Sequence, residues 1–222
     1  MTVAGRIDDF LRGRGEFSAE GSRALGLGRL WGIAAAAGLF YGVVMGSYCG
    51  LSAGRWQQLA YSAAKVPLFL FVTYALCVPA FFVFNSLRGL RTDFRIALSA
   101  MTAMQACLAV ILASLAPVTA LAYLSTPDYG TAVFFNGIVF AAASVSSQIV
   151  VLRCYRPLIA LDRRHRSMIA VWLTLYVFVG IQAAWVMRPF VGNPDLPVAL
   201  FRPGAWGNAY VAVIKLTRQV LQ

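Results

Sequence analysis

Acidic side chains are scarce in this chain. Eight Asp and Glu occur among 222 residues, and none falls inside any long apolar run. That removes the intramembrane ionisable relay on which proton-coupled carriers and pumps rely. Charge as a whole is thin: 12% of the residues are charged, against about 25% in ordinary soluble domains, while 60% are hydrophobic and mean hydropathy is +0.72. This balance excludes a soluble globular enzyme. It also excludes disorder, because low hydrophobicity is what keeps a chain from collapsing.

Groups that carry chemistry are equally sparse. Cys49, Cys77, Cys107 and Cys154 stand singly in or beside different apolar segments, there is no CxxC pair, and His165 is the only histidine. A zinc or iron-sulfur site needs clustered soft ligands, so no metal or other cofactor is expected. The chain has no HExxH, no GxSxG elbow, no P-loop and no paired carboxylates, which points to a non-enzymatic protein. His165 lies in a basic loop and is expected on that loop's solvated surface. Lysine is rare too: seventeen Arg accompany only Lys65 and Lys215, a bias that suits a GC-rich bacterial genome.

What the chain does have is long apolar runs. A hydrocarbon core about 30 Å thick requires roughly 20 helical residues. Five runs qualify: 30–49, 66–85, 96–123, 131–152 and 168–188. They show no period-two alternation, and inside lipid every backbone amide must find an internal partner, so they are read as helices. The fold class is therefore all-α, a polytopic membrane bundle of five transmembrane helices. Pro67 is expected in the first turn of the second span, where a missing amide costs nothing. Pro79 and Pro117 are expected to bend the second and third spans.

Two shorter segments flank the bundle. Residues 1–29 place Val3, Ile7, Phe10 and Leu11 opposite Arg6, Asp8, Asp9 and Arg12, the pattern of a cytoplasmic amphipathic helix lying along the membrane. The charge spread through this segment argues against a cleavable leader. Residues 189–222 begin with a Pro- and Gly-rich loop, then place Tyr210, Val213, Ile214, Thr217, Val220 and Leu221 on one helical face.

Cations set the orientation, since Lys and Arg are retained on the cytoplasmic side. With the amino terminus inside, thirteen cations fall on that side and six on the other. The expected location is a bacterial inner membrane, with a cytoplasmic amino terminus and a periplasmic carboxy terminus.

Three groups of residues stand out as candidate sites. Ala34, Gly38, Gly42, Gly46 and Gly50 recur every four residues along one face of the first span, where missing side chains permit close backbone approach. The partner surface is another helix of the same chain or a second copy. Gln105, Asn136, Gln148 and Gln182 are intramembrane polar groups, suited to interhelical hydrogen bonds or to lining a path. Lys65 and Arg188 sit near the same outer interface. They could bind a lipid phosphate or an acidic partner, snorkel to headgroups, or pair with Asp128 or Asp195. Tyr123 and Trp185 have the level of aromatic-belt residues. The inner Arg cluster is explained by topology and could also attract anionic lipid, but no basic domain accompanies it, so nucleic acid is not an expected partner.

At 65–85, 112–126 and 178–203 the chain resembles a family of uncharacterised bacterial integral membrane proteins. Gln182, Ala184, Trp185, Arg188, Pro189, Phe190, Gly192 and Pro194 carry the likeness most specifically, followed by Phe201, Arg202, Asn208 and Tyr210. The resemblance implies a multi-span inner-membrane protein. Five spans and an inner amino terminus are also similar in topology to the Yip1-type membrane proteins, which shape or organise membranes. The resulting expectation is a scaffold or a subunit of a larger membrane complex, in contact with anionic lipids and with a membrane-protein partner or a second copy. The alternative is a small permease or channel lined by Asn136, Gln148 and Gln182, with Lys65 and Arg188 at an anion-attracting outer mouth.

Overall fold

The structure is a computed structural model that describes residues 26–50, 55–126, 128–202 and 207–211. The amphipathic segment expected at 1–29 lies outside the described residues apart from 26–29, which are solvent-facing at the start of the first helix. The second amphipathic segment is described only at 207–211.

Five long helices make up the described chain: α1 (Leu27–Gly50), α2 (Trp56–Leu87), α3 (Phe94–Ser125), α4 (Tyr129–Leu161) and α5 (His165–Met187), with one 3-10 turn at Arg91–Asp93. Each is long and apolar enough to cross a membrane. The fold is all-helical, and no strand occurs among the described residues. Large apolar side chains such as Phe40, Phe71, Phe134 and Phe178 point outward, more than half exposed. This is the surface expected where lipid rather than water is the solvent.

Helices outrun the apolar runs because backbone hydrogen bonding continues past the hydrophobic stretch. α2 begins ten residues before the expected span, which corrects the reading of Pro67: it lies deep inside α2. Its ring nitrogen has no proton to offer the Ala63 carbonyl one turn earlier. α1 comes closest at this point. A Cβ on Gly42 would stand 2.5 Å from the Ser62 carbonyl oxygen and 2.9 Å from that of Ala63, and one on Gly46 would stand 2.8 Å from the Leu59 Cα. A Cβ on Gly38 would meet the Pro67 ring at 3.3 to 3.4 Å. Ala34 is buried in the same face, and Gly50 closes the helix. Gly38, Gly42 and Gly46 of the four-residue stripe thus pack within the chain, against α2.

α1 also packs along α3, α3 along α4 and α2 along α5, whereas α4 and α5 touch only sparingly. An aromatic cluster fills the centre. Trp172 is fully buried, with ring centroids 5.5 Å from Phe81, 5.7 Å from Tyr176 and 6.1 Å from Tyr74, and Trp31 lies edge-on to Tyr74 at 5.1 Å.

The connections have recognisable local causes. α2 stops at Gly89, which takes φ +73° while Leu90 N donates to the Asn85 carbonyl and Gly89 N to that of Ser86, a Schellman closure with Leu90 buried beneath it. α4 starts at Asp128, whose carboxylate accepts from the Thr131 amide and hydroxyl, both at 2.7 Å. Those two bonds hold the Asp128 carboxyl below the usual carboxylate range. At the Arg-rich end, Arg164 donates to the Arg88 carbonyl at 2.9 Å and Arg88 to the Ser167 hydroxyl at 2.9 Å. His165 is not on a solvated surface. It is fully buried, 3.2 Å from the Asp93 carboxylate and edge-on to Tyr155, because the turn after α4 folds it under the bundle.

Replacing Gly42 with Leu inserts a side chain where no space exists, and we expect a loss of about 1–3 kcal/mol. Gly32→Leu, on the same helix with nothing within 4 Å of its Cβ position, is expected to stay within about 0.5 kcal/mol of the parent. Thermal unfolding in detergent compares the two.

Candidate functional site

The helix end opposite the Arg-rich loops is covered by a segment that follows α5. Residues 188–202 form no regular element, yet they are tied down at several points. Arg55 donates to the carbonyls of Asn193 (3.0 Å) and Leu196 (2.9 Å), Ser62 to that of Phe190 (2.5 Å) and Tyr129 to that of Val191 (3.3 Å). Phe190 lies between α2 and α4, 5.8 Å from Phe69 and 6.4 Å from Phe140 between centroids. Gly192 is where the segment meets the helices most closely. A Cβ there would lie 2.5 Å from the Gln58 side chain and 3.0 Å from the Cys49 Cβ.

Lys65 is part of this fastening. Its side chain is 2% exposed, and its ammonium donates to the Pro189 carbonyl at 2.7 Å and faces the Phe201 ring at 5.8 Å. It therefore does not snorkel to a headgroup, and it pairs with neither Asp128, which is engaged with Thr131, nor Asp195. Arg188 stacks on Trp185, its guanidinium carbon 3.4 Å from the ring centroid, and its Nε is buried with no acceptor among the described residues. Trp185 thus serves as a platform for the cation. Arg202, which the sequence places among the outer cations but in no candidate site, donates to the Tyr129 hydroxyl at 3.1 Å. It lies close enough for its charge to act on both Lys65 and Arg188.

The intramembrane polar groups divide in three. Gln105 is fully buried and joins three helices: its amide donates to the Leu70 carbonyl of α2 and its carbonyl accepts from Tyr176 of α5, both at 2.8 Å. Asn136 is buried, donates to the Tyr123 hydroxyl and to the Ala132 carbonyl, and accepts from Tyr41 at 3.2 Å, linking α1, α3 and α4. Tyr123 is accordingly half-buried within this network. Gln182 faces away from both networks. It holds the Gly207 carbonyl (3.1 Å) and the Ala209 amide (3.0 Å), while Tyr210 stacks on Phe178 on the outer side of α5.

Gln148 behaves differently. Its Oε1 is buried with no hydrogen-bond partner among the described residues, and it lies at the deep end of a cavity of about 620 Å³ between α4 and α5. Asn136, Gln148 and Arg188 all border that cavity, with Arg202 at the same end as Arg188; Gln182 and Lys65 do not. Its walls are mainly apolar, formed by residues such as Phe140, Val145, Val177 and Ile181. The cavity was not legible in the sequence. Its only sequence signal is the run of small residues Gly137, Ala141, Gly180 and Ala184, which reads as tight packing.

No group of three or more His, Cys, Asp or Glu able to hold a metal occurs among the described residues, and the four cysteines are buried free thiols. Set against protein-family models, curated proteins and solved structures, the chain matches none.

Lys65→Met removes the donor from the Pro189 carbonyl and leaves that acceptor buried. We expect destabilisation of about 1.5–3 kcal/mol and loosening of residues 188–202. A cysteine introduced as Asn193→Cys together with Cys49→Ala, since Cys49 lies beneath Gly192, should then react faster with a thiol reagent than it does in the Lys65 background, and the other three buried native cysteines keep the background low.

Proposed function

We propose that this chain is a non-enzymatic integral membrane protein acting as a scaffold or as a subunit of a larger membrane assembly. In this reading the Arg-rich connections face the cytoplasm of a bacterial cell, and the 188–202 segment is presented on the other side as a docking surface. The distribution of cations and the likeness to multi-span inner-membrane proteins support that placement.

The observation that carries the reading is where the polar side chains go. Gln105 and Asn136 are consumed by bonds between helices of the same chain. Gln182 is turned to the outside. A permease or channel needs polar groups along a continuous path, and the 620 Å³ cavity has mainly hydrocarbon walls. The segment over the helix ends, by contrast, is held by charged and polar donors at four or more points. Such a preorganised surface loses little entropy on docking.

The test is purification of the full chain from native membranes in mild detergent, combined with solute-flux measurements after reconstitution. A stoichiometric partner that is lost when Leu196, 43% exposed, is changed to Glu would support the proposal. A lone monodisperse chain that moves solute across vesicle membranes would overturn it.

A further inference from the structure

Three cations meet at one end of the bundle without an anion. Lys65, Arg188 and Arg202 have no carboxylate within ion-pair distance among the described residues. Like charges gathered in apolar surroundings repel one another and are costly unless something neutralises them. Lys65 has found a carbonyl and Arg202 a phenol. The Arg188 Nε has no partner, although it is buried at the rim of the α4–α5 cavity.

Below these cations the cavity runs along α4 from Val133 to Gln148, about 22 Å at about 1.5 Å per residue, which exceeds the depth of one leaflet, half of about 30 Å. Its volume of about 620 Å³ falls within the usual range of ligand sites, about 300–1,000 Å³. It opens sideways. Val133, Val145, Val177 and Ile181 line it and are at the same time exposed on the outer face of the bundle. A ligand can therefore enter from the lipid phase.

We propose that the α4–α5 cleft binds one acyl chain of an anionic membrane phospholipid, whose phosphate accepts hydrogen bonds from Arg188 and Arg202. The chemistry fits at both ends. Guanidinium groups match phosphate geometry and are less strongly hydrated than an ammonium, and the apolar walls suit methylenes. A soluble phosphate would leave the cleft unused, and a choline headgroup would add a cation to three that are already uncompensated. The site does not depend on the subunit reading, because a lone chain would hold the lipid equally well.

The experiment is native mass spectrometry of the full chain released from nanodiscs made of equal parts phosphatidylglycerol and phosphatidylcholine. The expected result is one retained phosphatidylglycerol per chain, favoured about tenfold, or about 1.4 kcal/mol. Arg202→Gln and Arg188→Gln should each bring that preference close to one. Arg91→Gln, at the opposite end and exposed, should leave it intact. Gly137→Leu places a side chain into open cavity space, and should abolish retention of either lipid while the melting temperature in detergent is maintained. Gln148→Leu should not weaken binding, since methylenes pass that residue. If Arg188→Gln does not fold, Arg202→Gln carries the charge test alone. Equal retention of both lipids, an unchanged preference in Arg202→Gln, an equal loss in Arg91→Gln, preferential retention of added oleate, or loss of binding in Gln148→Leu would each overturn the proposal.

Discussion

The contact between α1 and α2 is the constraint from which the rest of the arrangement follows. Lipid offers no hydrophobic effect to hold two apolar helices together, so they associate through dispersion, weak Cα–H bonds and the fit of their surfaces. Gly38, Gly42 and Gly46 let α1 reach the backbone of α2 between Leu59 and Pro67. Within that interval Pro67 has also removed the donor that would otherwise serve the Ala63 carbonyl. Beside that contact α2 carries Gln58, Ser62 and Lys65, whose side chains meet the chain after α5, and Ser62 also borders Gly46 of α1. Fixing α2 against α1 therefore fixes the surface on which residues 189–192 rest.

The deeper polar groups divide between bracing and binding. Gln105 ties α2, α3 and α5 together, and Asn136 with Tyr41 and Tyr123 ties α1, α3 and α4. Each network crosses helices that also pack by shape, so hydrogen bonds set the register while dispersion supplies most of the contact. Both are closed, with donors and acceptors matched inside the chain. The cations at 65, 188 and 202 form a third polar group, and it differs in being open, because positive charge accumulates there without its complement.

Much of this was legible in the sequence, and the failures have physical causes. Run length and the absence of alternation give five helices, since a backbone in lipid has few ways to satisfy itself. The glycine stripe is readable because a four-residue repeat defines one helix face. Helix ends are less readable: hydropathy reports where lipid begins, not where hydrogen bonding stops, so α2 starts ten residues early and Pro67 becomes an interior proline. His165 was misplaced because charged neighbours suggest solvent, whereas Asp93 from a different turn draws it under the bundle. Arg202 and Tyr129 could not be paired from sequence, being brought together only by the course of the chain after α5. Gln182 stays open in the sequence between bonding another helix and lining a path, because a one-dimensional pattern does not say which neighbour a glutamine will find; it bonds the chain at 207–209 instead.

Small residues lead to opposite outcomes in two parts of the bundle. Between α1 and α2 they close the interface to backbone contact. Between α4 and α5, Gly137, Ala141, Gly180 and Ala184 face a shared space and leave it open. The difference lies in what else occupies the helix ends. Phe190 enters between α2 and α4, against Phe69 and Phe140, and Val191 is held by Tyr129. The start of the covering segment is thus anchored to α2 and α4, and α5, which leads directly into it, is bound to α2 by the Trp172 ring contacts and to Gln105 of α3 by the Tyr176 hydroxyl. With α4 drawn to α3 and α5 to α2, neither can move across to collapse the gap without breaking a closed network. Small side chains permit close approach but do not compel it, and here the polar fastenings at the helix ends hold a lipid-facing cleft open.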